Sequence, residues 1–209
     1  MDLMLGTIQE AIQPENIWFR PYVWIDYRLA VLFAVIIPLI LLIWAYVQKT
    51  EAIQRLLIIY WKVSSLLAIT IYLMIGGFGV SFISGLMAQI LIPVSLWFWV
   101  DLNDEIEYQA SGSLKLVFTS WRWAMSVYCI LGTIAFIPFL GCAFSDPAQS
   151  SYCSVWFEAP LLFREYFHAN SKPGFLGFLG ISGLIIYVLY LSYFVLIKLA
   201  KQGRSATQS

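Results

Sequence analysis

Charge is what this sequence lacks most. Of its 209 residues only 11% are Asp, Glu, Lys or Arg, while 61% are hydrophobic. An ordinary soluble domain is about 45–50% apolar and about 25% charged. A water-soluble fold of this size could not hide so much apolar surface behind so few charges, so lipid is the expected solvent. Twelve basic residues balance twelve acidic ones. That balance argues against nucleic-acid binding and against a polybasic membrane anchor. Histidine is nearly missing, with His168 alone, which excludes bis-histidine haem ligation within one chain. There is no G-x-S-x-G elbow, no phosphate-binding glycine loop and no His-rich metal motif. The three cysteines have no metal-ligand spacing. The start, "MDLMLGTIQEAIQPEN", opens with acid and lacks a continuous apolar core, so no cleavable leader is expected.

Long apolar runs are what the sequence has instead. Five of them match the roughly 20 residues that a spanning helix needs, at 29–47, 56–75, 80–100, 118–140 and 175–199. Membrane strands are shorter, about 9–11 residues, and alternate in polarity, which these runs do not. The expected fold is all-α: a polytopic membrane bundle of about five helices in a single domain. Residues 1–28 would form an outer N-terminal segment and 200–209 a cytoplasmic tail. Orientation follows the basic residues in the flanks. Lys49, Arg55, Lys62, Lys115, Arg122, Lys198, Lys201 and Arg204 fall on one side; Arg20, Arg28, Arg164 and Lys172 fall on the other. The excess places the N-terminus outside and the C-terminus in the cytoplasm. Trp44, Trp61, Trp97, Trp99, Trp121 and Trp123 then cluster near cytoplasmic helix ends, as an interfacial belt would. "VWFEAPLLFREYFHA" mixes apolar and charged residues and predicts an interfacial helix in the outer loop, begun near Pro160.

A few residues could carry chemistry. The acidic run in "SLWFWVDLNDEIE" imitates the start of a calcium loop, but the required Gly and Glu are replaced by Ile106 and Gly112. The run therefore reads as a solvated cytoplasmic loop. Lys62 lies about a turn and a half inside the second run, and a charge in hydrocarbon either snorkels or pairs. Asp101 is the first carboxylate beyond the third run, and Arg122 belongs near the same interface. A structural ion pair among Lys62, Asp101 and Arg122 is the sharpest expectation, with snorkelling of Lys62 as its plain alternative. Pro38, Pro93 and Pro138 interrupt spans. Pro93 frees the carbonyl of Gln89, itself the only amide side chain well inside a run, so Gln89 and Pro93 are candidates for a polar cavity. Gly174, Gly177, Gly180 and Gly183 recur three apart. Small residues let helix backbones approach, which predicts close packing of helices three and five, or of a partner helix. Cys142 and Cys153 flank the outer end of helix four, in a compartment that permits disulfides, and are expected to form one. Cys129 reads as an inert buried thiol. His168 is an ordinary surface histidine, a ligand to a single chlorophyll, or a pH sensor; no other cofactor is expected.

The segments "NIWFRPYVWIDYRLAVLFAVIIPLILLIWAYVQKTEAIQRLL" and "FTSWRWAMSVYCILGTIAFIPFLGCAFSDPAQ" resemble a family of uncharacterised integral membrane proteins of cyanobacteria. The resemblance covers most of the chain except its two ends. It implies a small multi-spanning protein of the thylakoid or plasma membrane and brings no functional residues with it. The leading expectation is a non-catalytic accessory or assembly factor, or a small subunit, packed against a larger membrane-protein partner in the lipid bilayer. The alternative is a small transporter or channel using kinked helices with Gln89 and Lys62. An intramembrane enzyme is a weaker third reading.

Overall fold

The structure is a computed structural model that describes residues 17–145, 150–199 and 203–206. The acidic start and Lys201 lie outside the described residues. All regular structure within them is helical. Five helices are long and apolar enough to cross a membrane: α1 (Arg20–Val47), α2 (Glu51–Ile75), α3 (Val80–Trp97), α5 (Ser113–Ala143) and α7 (Pro173–Leu199). Two shorter ones join them, α4 (Val100–Tyr108) and α6 (Glu158–Phe167). The five-span expectation therefore stands, and the arrangement suits an integral membrane protein.

The boundaries differ from those read off the apolar runs. α1 begins at Arg20, with Pro21 in its first turn, rather than near Leu29. Proline is at home there, since its missing N–H would be unpaired anyway. Asp26 and Arg28 interrupt the hydropathy but not the helix. The acidic run is not a loop either. It forms α4, which buries Leu102 and Ile106 and leaves Asp104, Glu105 and Glu107 exposed, the pattern of a helix lying along a surface.

Helix α2 is the centre of the bundle and packs against both α3 and α7. The turn at Gly76–Gly79 is short, so α3 must return beside α2. Thr70 and Ser84 share a hydroxyl hydrogen bond of 2.9 Å across that pair. The glycine stripe of α7 packs against α2 rather than α3, and the expected pairing of helices three and five is corrected accordingly. A methyl group on Gly180 would come within 2.8 Å of the Leu73 backbone nitrogen, and one on Gly177 within 2.8 Å of the Gly76 Cα. Gly183 lies against the Ile69 side chain, whereas Gly174 has nothing within 4 Å.

α1 is locally unwound near its middle. Residues Val31–Ile36 form a π-turn, and Pro38 follows. Pro38 has no N–H to offer the Ala34 carbonyl four residues back. In lipid that carbonyl must find another donor, and the Tyr60 hydroxyl supplies it at 2.8 Å. The neighbouring Phe33 carbonyl accepts from the Trp121 indole at 2.9 Å. Tyr60 and Trp121 meet edge to face, 5.1 Å between ring centres, and both are buried. The break is thus sealed by side chains of α2 and α5.

Candidate functional site

The site begins with the carboxylate that the sequence reading left outside the membrane. Because α1 starts at Arg20, Asp26 lies within the helix and faces α5. Its Oδ1 accepts a 2.7 Å hydrogen bond from the Tyr128 hydroxyl. Tyr128 stands in the middle of α5, and its hydroxyl also reaches the Asp26 carbonyl at 3.2 Å. Neither of the ion pairs among the described residues includes Asp26.

Asp26 lines a cavity of about 420 Å³ between α1, α3, α5 and the outer segment. Phe19, Tyr22 and Val23 of α1 and its N-terminal flank form one wall, and Ala135, Phe136 and Phe139 of α5 another. Gln89 enters from α3. A methyl group on Gly132 would meet its Nε2 at 2.9 Å, so the amide lies close against α5 at Gly132 and a side chain there would push it aside. The Gln89 Oε1 is buried and has no hydrogen-bond partner among the described residues. Pro93, one turn further along α3, does not line this space. Of that candidate pair Gln89 lines the space, and with Asp26 it brings polar groups to a largely aromatic lining.

Tyr152 and Trp156 close the end nearest the disulfide. Several contacts hold this roof in place. Cys142 and Cys153 are bonded as a disulfide, tying the end of α5 to the segment that carries Tyr152 and Trp156. Arg20 and the Trp24 indole both bond Glu158, each at 2.9 Å. The Tyr27 hydroxyl donates to the Trp156 carbonyl at 2.7 Å. Phe139 stacks on Tyr152 at 4.8 Å and meets Trp156 at 5.0 Å. The result is an aromatic chamber with two polar groups inside it. Such a space can hold an apolar body while presenting acceptors to a donor or cation.

The expected cluster of Lys62, Asp101 and Arg122 does not form. Lys62 is exposed in a different groove, beside α7. Asp101 Oδ2 accepts from the Ser205 hydroxyl at 3.1 Å and from the Ala206 backbone N–H at 2.8 Å. The chain beyond α7 therefore returns to Asp101. Arg122 is buried, with its guanidinium 3.9 Å above the Trp97 ring, and it donates to Asn103 Oδ1. The physical reason is the elbow at Phe98 and Trp99, where α3 ends and the chain turns into α4. Arg122 clamps that elbow, and the turn carries Asp101 away from α2's middle. His168 lies at the end of α6, and its Nε2 shares a 3.0 Å hydrogen bond with the Tyr72 hydroxyl. Among the described residues no group of three or more His, Cys, Asp or Glu could hold a metal ion.

A family whose members are described as proteins of unknown function, DUF3177, matches residues 20–207. The chain belongs to that family. Nothing among curated proteins or solved structures matches it. The DUF3177 match starts where α1 starts, so it contains Asp26, Gln89, Tyr128, Gly132 and the disulfide.

Proposed function

We propose that this DUF3177 protein is an integral membrane protein that holds a small amphipathic molecule in its outer-half cavity, without catalysis of its own. The observation that carries the reading is Asp26: a carboxylate inside a spanning helix, bonded to Tyr128 and bordering an aromatic cavity. Ionisable groups within membrane helices are expensive, and they mark binding sites or pathways by default. The cavity's size falls in the range of about 300–1,000 Å³ common for ligand pockets, which are mostly apolar with few polar groups. Its aromatic walls suit a ring or short chain. Asp26 and the Gln89 carbonyl suit a head that donates hydrogen bonds or bears positive charge.

Native mass spectrometry of the full chain in mild detergent tests this reading. The expected result is one bound small molecule per chain, absent from Gly132→Leu, whose side chain would displace Gln89 and fill the cavity. A wild-type protein carrying only detergent would contradict it, as would a Gly132→Leu protein that kept the same adduct.

A second reading, an accessory subunit beside a larger membrane complex, draws on α7. That helix is the least buried of the five candidate spans. Transport of the bound molecule would extend the first reading. It would run through Gln89 and Asp26, since Lys62 lines a separate groove. The resemblance to cyanobacterial membrane proteins favours a thylakoid or plasma membrane as the setting.

A further inference from the structure

Lys62 is the twelfth of 25 residues in α2, midway along the helix. At about 1.5 Å per residue it stands some ~17 Å from the first residue of α2. It is exposed and belongs to no ion pair among the described residues. It lines a groove of about 550 Å³ that opens on the side of the bundle, with Leu42 of α1 on one side and Ile186 and Tyr190 of α7 on the other. Beside it, the Trp61 indole N–H is buried with no partner. A cation at this depth is costly, and its remedies are snorkelling or a counter-ion. From mid-helix, snorkelling still lays the lysine stem and ammonium along apolar surface.

We propose that this groove receives a transmembrane helix of a different protein, one that presents a carboxylate at mid-depth to Lys62. The sequence itself excludes a second copy of the chain as the source. Within the five candidate spans the acidic residues are Asp26 and Glu51 alone. Glu51 opens α2 and pairs with Arg55 at 3.1 Å. Asp26 is already bonded to Tyr128 and lines the separate cavity between α1, α3 and α5, sixteen residues, or about 24 Å of helix, from the Leu42 that borders the groove. Lipid phosphates sit at the interface rather than midway through the hydrocarbon. A partner helix is the occupant that brings the opposite charge to the right depth, and the poorly buried α7 leaves room for it.

The test uses the full chain, labelled with a donor fluorophore, in neutral phosphatidylcholine vesicles. The probes are acceptor-labelled synthetic leucine-rich spanning helices with a central Asp or a central Leu. The expected result is at least tenfold tighter association with the Asp helix. That preference should vanish in Lys62→Met, and Lys62→Asp should prefer a helix with a central Lys. Ile186→Trp, which fills the groove and keeps the charge, should also lose it. A cooperative thermal transition within a few degrees of wild type reports that each variant has folded. Equal association with both probes overturns the proposal, and so does a preference that survives Lys62→Met or Ile186→Trp. Displacement of the Asp helix by equimolar oleate would show that a fatty acid is the occupant and would overturn it too. None of these outcomes depends on the cavity beside Asp26, whose lining includes neither Lys62 nor Ile186.

Discussion

Helix α1 carries two polar interruptions about two turns apart, and they are treated in opposite ways. At Phe33 and Ala34 the π-turn and Pro38 expose two carbonyls, and both are capped by buried donors, Trp121 and Tyr60. Both of those carbonyls are spoken for, so the break reads as a structural joint. At Asp26 one carboxylate oxygen is held by Tyr128, yet the residue borders a cavity that is also lined by Gln89, whose buried amide oxygen has no partner among the described residues. An unsatisfied buried acceptor costs about 1–3 kcal/mol. A polar group that structure alone would seal is left open here, which is what a ligand site requires. Kinked helices and prolines are thus poor guides to function in this protein; the accounting of acceptors separates joint from site.

The joint should break hardest. Trp121→Ala removes the donor to Phe33 and a large buried ring, and should cost about 3–5 kcal/mol, read as a drop in the thermal midpoint in detergent. The roof of the cavity comes next. Cys153→Ser opens the disulfide and should cost about 2–4 kcal/mol; because it frees the segment bearing Tyr152 and Trp156, it should also weaken whatever the cavity holds. Tyr60→Phe keeps the ring and deletes only the donor to Ala34, for a loss of about 1–3 kcal/mol with no effect on the cavity's contents. Asp26→Asn should move stability least, because the Tyr128 hydroxyl can still donate to the amide oxygen. It should nevertheless reduce ligand retention at least tenfold. A reversal, with Asp26→Asn unfolding the protein and Tyr60→Phe emptying the cavity, would invert the comparison.

Much of the architecture was legible in the sequence, because five apolar runs have few other places to go. The helix expected near Pro160, between the fourth and fifth spans, is found as Glu158–Phe167. The site was less legible. Hydropathy counts Asp26 and Arg28 against a span, and so cut α1 short at Leu29. Pro21 in the first turn was the signal that could have placed the start earlier and brought Asp26 inside. Gln89 stands out because a lone amide in an apolar run is visible, but Tyr128, the donor to Asp26, looks like any other aromatic. Lys62 and Asp101 were paired by their nearness to run ends, and nothing local announced that Arg204 to Ala206 would fold back onto the start of α4. Charges near helix ends have many candidate partners, and the choice among them is made by tertiary structure.

The difference between sealed joint and open site is most directly measured by alkylation of single cysteines. With Cys129 replaced by Ser, a cysteine at position 26 or at position 34 is exposed to N-ethylmaleimide in native membranes, the outer disulfide remaining bonded. The account predicts rapid modification of Asp26→Cys and none of Ala34→Cys. Equal protection of both positions, or modification of position 34 alone, would contradict it.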